Sequence, residues 1–350
     1  MPFSNRPTWA TDTNFSSGPR SGLPTKLVPP APGQGLVAGA TIPANTTNWI
    51  LNALTVEDAE VIDDLAAGRF GDGSDGNVTI AAGTTTLTRA MFYGNLTVTG
   101  TLRTRGNPVF VRGVLTGSGT IDARGEAGVL GVSGGVPGGA SSWERGTAGA
   151  TGTVAAVDGD AGTNATNSLG GSAGAGGAGS APPRLAGAAG VATAVVESAG
   201  GPGVWRALDR AVLGRTLGAS VVVGGAGGGS GAGGVGGAGG GGGDVLGLIV
   251  HTWGAFDGIV TARGGAGGNG TTNGGGGGGG GGGVIVIVAR RGIVSLTDNG
   301  GGEFELVTSL GGVTPSPAQI IVRGGAAGAG IGNGLVGAAG SAGALYLLQG

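Results

Sequence analysis

Residues 274–283 are ten consecutive glycines that run without a break into Val-Ile-Val-Ile-Val at 284–288. A glycine tract by itself reads as a flexible linker. One that ends in a wholly apolar β-branched strand, with little charge nearby to solvate it, reads as packed architecture. Glycine fills 90 of the 350 positions, and ordering so much of it carries an unusually large entropy cost. Order is possible only where the missing side chains let backbones approach and hydrogen-bond each other.

Three ordered designs use that much glycine. Collagen needs Gly at every third position with abundant proline, whereas here the spacing drifts and proline is scarce after residue 140. Silk-like or amyloid stacking favours long uniform repeats, which are absent. The third design is a bundle of extended three-fold glycine helices, close to polyproline II in geometry and cross-bonded through their amides. Its signature is a side chain at every third position on one edge. Ala232, Val235 and Ala238 hold that phase, as do Ser172, Ala175 and Ala178. The alternative is a disordered linker. A positive mean hydropathy and 11% charged residues argue for packing.

A net charge of −2 with no long charge run gives no electrostatic basis for a nucleic-acid partner. The chain has no cysteine, which excludes disulfides and Cys-ligated zinc. No basic-then-apolar leader opens it, and no apolar run approaches the ~20 residues that span a bilayer. Neither secretion through a leader nor membrane insertion is expected. One histidine and 4% aromatic residues leave little for an ordinary globular core, but suit stacked repeats that pack on their neighbours.

Residues 1–45 hold more than half of the fifteen prolines and read as an extended arm. Trp49, Ile50, Leu54, Val61, Ile62 and Leu65 are spaced for one apolar helix face closing at Gly68. GDGSDGN at 71–77 is a turn cluster rather than a calcium loop, since no glutamate follows at the required spacing. From Asn77 to Arg124 the period changes to two, giving short strands joined by glycine. TLRTRG (101–106), TIDARG (120–125), IVTARGG (259–265) and QIIVRGG (319–325) each end a strand in Arg-Gly. That recurrence of strand, stop and glycine segment points to a stacked repeat. GALYLLQG reads as a closing strand, and residues 180–222 as an excursion from the glycine field with a short helix near 204–213.

The expected fold is mainly β: an elongated, repetitive β-solenoid or β-prism fibre with packed polyglycine-II-like segments and a short N-terminal helix. Three regions follow: an arm and helix at 1–70, a β-rich stalk at 71–130, and a glycine-rich repetitive domain at 131–350 containing the excursion.

His251 reads as a satisfied side chain near a core strand, and no catalytic, cofactor or metal residue is assigned. Glu303 and Glu305 share one face of a strand, the pattern of paired carboxylates, but they equally solubilise that face with Phe304 and Leu306 inward. The GxGxxG-like strings lack a βαβ setting and carry no nucleotide meaning. Arg105, Arg124, Arg263 and Arg323 form either edge protection, the favoured reading, or a basic edge for acidic glycans. Trp143, Trp205 with its neighbour Arg206, and Trp253 are the candidates for exposed binding residues. Trp253 is the one best suited to a core pocket.

Two parts of the chain resemble phage virion proteins. WATDTNF (9–15), GLPTKLVPP (22–30) and NWILN (48–52) look like the leader of phage fibre and head-associated proteins. This resemblance implies attachment to the particle through residues 1–70, with Trp9, Pro24, Trp49 and Ile50 in the contact. The glycine field with its strand inserts resembles the polyglycine-II receptor-binding domains of T-even-type tail-fibre adhesins. Together they imply a non-enzymatic tail fibre or spike subunit that assembles in the host cytoplasm, resides in the virion, and contacts a host surface glycan or protein. A homotrimer is expected. The alternatives are a capsid decoration or head-fibre protein, and a glycan-degrading tailspike.

Overall fold

Valine, isoleucine, leucine and threonine fill short runs that glycine interrupts, and each run forms a strand because β-branched side chains suit a pleated, half-buried surface. The computed structural model describes residues 70–129, 146–153, 157–168, 170–180, 183–194, 225, 228–229, 231–309 and 316–349. All lie in one compact unit, Gly68–Gly350. The attachment arm, the N-terminal helix and the helix near 204–213 fall outside the described residues.

The first strands are β1 (Val78–Ile80), β2 (Thr84–Thr86), β3 (Met91–Tyr93), β4 (Leu96–Val98), β5 (Thr101–Arg103), β6 (Val109–Gly117) and β7 (Thr120–Asp122). Short pieces follow in the glycine field: β8 (Ala165–Ser168), β9 (Gly179–Ser180), β10 (Pro183–Arg184) and β11 (Ala192–Ala194). Then come β12 (Val245–Phe256), β13 (Ile259–Thr261), β14 (Val284–Arg291), β15 (Ile293–Gly300), β16 (Glu303–Thr308), β17 (Ala318–Ile321) and β18 (Ala344–Gln349).

The protein is mainly β, with two principal sheets. One runs β1-β4-β6-β12-β14-β18, all parallel, with β3 also on β6. The other runs β2-β5-β7-β13-β17 in parallel and ends in the antiparallel pair β16-β15. A strand of the first sheet turns a two-residue corner into the second: Thr99-Gly100, Ser118-Gly119 and Asp257-Gly258 occupy successive corners. The corner glycines stack so closely that a Cβ on Gly258 would lie 2.0 Å from the carbonyl oxygen of Gly119, and one on Gly119 2.2 Å from that of Gly100. The inner faces of the two sheets share one core, in which Leu102, Leu115, Ile121, Leu248, Trp253 and Ile287 are fully buried. Burying each such aliphatic side chain contributes roughly 1.5–3 kcal/mol. A second cluster on the first sheet joins Phe70, Phe110 and Ile249, with Phe92 stacked on Phe110 at 4.8 Å.

After β7, β13 and β17 the chain enters glycine segments whose hydrogen bonds repeat every three residues instead of every two. In the tract Gly274–Gly283, Gly275 and Gly278 donate to Ala232 and Gly229. Gly276, Gly279 and Gly282 donate to Leu335, Ala338 and Ser341, while Gly277, Gly280 and Gly283 donate to Gly268, Gly265 and Ala262. The tract's carbonyls accept from Gly237, Gly240 and Gly243, from Gly171, Gly174 and Gly177, and from Gly325, Gly328 and Ile331. Ala344 bonds the last carbonyl, Gly283, so every carbonyl of the tract is taken, at 2.7–3.2 Å. One bare chain is thus held by six others, and all ten glycines are buried.

The absent side chains are what permit this. A Cβ on Gly275 or Gly278 would meet the carbonyl oxygens of Gly177 or Gly174 at 2.0 Å. One on Gly276 or Gly279 would meet those of Gly328 or Gly325 at 2.0 and 2.1 Å, and one on Gly277 or Gly280 those of Ala238 or Gly241 at 2.0 and 2.1 Å. Each of the three positions in a turn faces one neighbouring segment, and glycine is required wherever that neighbour is present.

Residues 262–283 and 322–343 are two copies of the same return path, 60 residues apart, joined side by side at Asn269–Ala329 and Asn273–Asn333. The later copy has Leu335 and Val336 where the earlier has Gly275 and Gly276, and keeps glycine at 334, 337, 340 and 343. Those four glycines still face the inner tract, where a Cβ would meet the carbonyl oxygens of Gly274, Gly277, Gly280 and Gly283 at 1.8–2.3 Å.

Of the excursion expected at 180–222, residues 180 and 183–194 are described. After the antiparallel hairpin β9-β10, residues 185–191 rejoin the lattice: Leu185, Ala188 and Val191 accept from Gly159, Gly162 and Ala165, and Gly187 and Gly190 from Gly176 and Ala173. Pro183 pairs with Ser180 in that hairpin, so 183–191 stays with the glycine segments.

Candidate functional site

The turns that reverse the glycine segments lie at the ends remote from the strands, and side chains larger than alanine return there. Thr271–Asn273 joins segment 262–270 to the tract, and Ile331–Asn333 joins the equivalent pair in the next copy. Gly233, Gly234 and Gly332 take positive φ at these turns, as do Thr272 (40°) and Asn273 (63°). Asparagine tolerates that region, but a β-branched threonine is strained there by about 1–3 kcal/mol. The Asn273 carboxamide oxygen accepts the Asn333 amide at 3.3 Å, tying the two turns together.

Five exposed apolar side chains gather at this end. Ile331 donates its amide to Gly274 and Leu335 donates to Ala178, beside the Gly179–Gly233 contact. Gly233 in turn bonds Val157, and Gly159 bonds Leu185. Val157, Leu185, Ile331, Leu335 and Val336 are therefore all carried on the turn end, with Leu185 76% and Val336 63% exposed. Asp158 holds the Leu185 amide at 3.0 Å. The surface is mostly apolar, bordered by Thr271, Thr272 and Asn273, and mounted on backbone whose hydrogen bonds are satisfied. Exposed apolar side chains gathered in one place are the kind of surface that interaction sites use.

The Arg-Gly stops stand in register. Thr101 pairs Thr120, Thr120 pairs Ile259 and Ile259 pairs Gln319, so Arg105, Arg124, Arg263 and Arg323 occupy equivalent places on successive rungs. Two of the four carry acidic partners. Arg124 meets Asp122 at 3.2 Å, Arg323 meets Glu303 at 2.6 Å, and neighbouring Arg103 pairs Glu126. Burial pushes the Asp122 carboxyl above its ordinary range, against the opposing pull of the Arg124 amide and the Arg124 and Arg103 charges.

Glu303 and Glu305 lie half-exposed on β16 with Leu306 buried and Phe304 packed on the core. The Arg323 pairing engages Glu303, leaving no free carboxylate couple there. His251 stacks edge-on to Phe70 at 5.3 Å, and its ring nitrogens lie 3.0 Å from Thr252 Oγ1 and 3.4 Å from the Arg290 guanidinium. Asp72 accepts the Ser74 amide, and Asp75 accepts the Phe92 amide and pairs with Arg89, which makes 71–77 a tied turn. Among the described residues no three His, Cys, Asp or Glu side chains gather to hold a metal, and no helix is long and apolar enough to cross a membrane.

Trp253 is excluded as a binding residue: it is fully buried and edge-on to Phe256 at 5.7 Å, because its strand faces the core there. Trp143, Trp205, Arg206, Trp9, Pro24, Trp49 and Ile50 lie outside the described residues. Sequence reasoning missed Val157, Leu185, Ile331, Leu335 and Val336. The signal for Ile331, Leu335 and Val336 was available in the comparison of 262–283 with 322–343, where they replace Thr271, Gly275 and Gly276; Val157 and Leu185 had none. No family model, curated protein or solved structure matches this chain.

Proposed function

We propose that this chain is a structural and recognition subunit of a phage virion fibre or spike, attached to the particle through residues 1–70. The observation that carries the reading is the apolar turn end, with Leu185, Ile331, Leu335 and Val336 displayed on a lattice of paired backbone. Such a frame holds the backbone that carries these side chains in place, so contact incurs little backbone-ordering cost. The stacked rungs are read as a β-solenoid whose returning limbs are three-fold glycine helices of the polyglycine-II kind. The leader-like segments at 9–15, 22–30 and 48–52 support attachment. The host-surface partner is a protein or glycan met by the turn end.

No catalytic step is proposed, since the acidic side chains Asp122 and Glu303 are engaged by arginines. One chain completes the bonding of its own inner tract, so a homotrimer would form through other surfaces, and light scattering of the purified protein reads its mass. Gold labelling of intact particles tests the location: label at the tail supports the fibre reading, and label spread over the capsid replaces it with decoration. Leu335→Asp with Val336→Asp should cut adsorption of particles to host cells at least tenfold. Unchanged adsorption with normal incorporation would refute the turn end as the contact surface.

A further inference from the structure

The inner tract bonds to six segments, whereas the last segment, 334–343, bonds to three: 171–178, 274–283 and 322–331. Its vacant sides can be identified from the earlier copy of the path. In that copy Gly275 and Gly278 face 171–178, and Gly276 and Gly279 face 322–331 through their missing side chains. The equivalent positions in the last copy are Leu335 and Ala338, then Val336 and Ala339. Ser341 and Ala342 continue the two rows, and all six residues are exposed.

The amides of Val336, Ala339 and Ala342 are equivalent to those of Gly276, Gly279 and Gly282, which donate to the next segment. The last segment therefore presents its amide row toward the place of a further segment, while its Cβ atoms occupy the flanking places. A carbonyl seated there as in the interior would stand about 2 Å from a Cβ, by the interior distances of 2.0 Å at Gly278 and 2.1 Å at Gly279.

We infer that these six side chains are a stop built into the lattice, which keeps a second copy of the chain from adding its own glycine segments to this one. Charge does not supply the stop, because 324–349 contains no charged residue. Burial of apolar surface would favour contact at this face, so only the steric barrier opposes lattice growth. Natural sheets solve the equivalent edge problem with charges, prolines and bulges; here a side chain in two positions of every three does the same.

The test uses the full chain with Leu335→Gly, Val336→Gly, Ala338→Gly, Ala339→Gly, Ser341→Gly and Ala342→Gly together. Two cleared faces can then meet about a two-fold axis. Sedimentation velocity should show concentration-dependent doubling of the parent assembly's mass, with the new interface lowering hydrogen exchange over 334–343. A control with Leu335→Ser and Val336→Ser alone, which keeps every Cβ, should sediment like the parent. If the six-position variant does not fold, Ala338→Gly, Ala339→Gly, Ser341→Gly and Ala342→Gly together carry the same readout. A folded glycine variant that keeps the parent's mass up to 100-fold higher concentration overturns the inference, and so does association of the serine control, because it would show that the Cβ atoms do not block contact.

Discussion

Gly278 and Ala338 occupy the same place in the two copies of the return path, one interior and one at the surface, so exchanging them isolates the effect of packing. In Gly278→Ala the new methyl would stand 2.0 Å from the Gly174 carbonyl oxygen and 2.6 Å from its carbon. Relief requires segment 171–177 to withdraw by more than 1 Å, roughly the shortfall from ordinary van der Waals contact. That movement breaks the Gly229-to-Gly174 bond of 3.1 Å and the Gly174-to-Gly279 bond of 2.8 Å. Each buried group left unpaired costs about 1–3 kcal/mol, and the overpacking itself costs about 1–3 kcal/mol. The expected loss is on the order of 4 kcal/mol or more, a large part of the 5–15 kcal/mol that typically stabilises a domain. The reciprocal Ala338→Gly removes a solvent-facing methyl and should cost no more than about 1 kcal/mol. Urea unfolding of both variants, followed by tryptophan emission, measures the pair. Equal losses, or less than about 1 kcal/mol for Gly278→Ala, would refute the claim that the tract is a close-packed interior.

Trp253→Ala should cost about 3–5 kcal/mol in the same assay, because it empties the core between the sheets; a loss under about 1 kcal/mol would place Trp253 outside that core. Thr272→Gly should stabilise by about 0.5–1 kcal/mol, because relief of the left-handed backbone outweighs the entropy that glycine adds to the unfolded chain; a destabilised variant would contradict the strain. Asp122 is held above its ordinary value of 3.8 chiefly by burial, so its contribution favours folding below pH 3.8 and is lost as pH rises through its raised folded value. The stability of the parent minus that of Asp122→Asn should therefore fall across that window in a pH series of urea unfolding; a difference that rises with pH would reverse the assigned cause. Arg323→Ala should cost less than about 1 kcal/mol, since both partners of its pair with Glu303 are substantially exposed and screened, and a larger loss in the thermal midpoint would mark the pair as structural.

Much of the strand layer was legible because its signals are side chains. The Arg-Gly ends at 105, 124, 263 and 323 announced four rungs, and the ladder pairs them in order. GALYLLQG announced β18, and the alternation in GGEFELV placed Leu306 inward. The three-residue phase of Ser172, Ala175 and Ala178 lies on one segment, whose carbonyls at those places accept from Ser341, Ala338 and Leu335, whereas Ala232, Val235 and Ala238 straddle the reversal at Gly233 and Gly234 and do not share an edge. The register of the ten-glycine tract was not legible within the tract, which has no side chain to mark it. It is set from outside: the tract leads from the Thr271–Asn273 turn into β14, so β14's pairing with β12 and β18 fixes the glycines before it. The turn-end surface escaped for a related reason. Leu335 and Val336 look like ordinary strand residues until 322–343 is set against 262–283, and the nearly bare inner copy hides that repeat. Within the expected excursion at 180–222, residues 183–191 hold to the glycine segments, because their loss of glycine spacing there is a hairpin and a lattice edge.

Hydrogen–deuterium exchange of the full chain tests the central claim most directly. Peptides covering Gly274–Gly283 should exchange as slowly as those covering β12 and β14, because the tract is buried, eight of its ten amides are bonded to neighbouring segments and a ninth, of Gly274, closes onto Thr271. Complete exchange of the tract within seconds, while β12 and β14 stay protected, would mean that the glycines form a solvated linker and that the lattice does not exist.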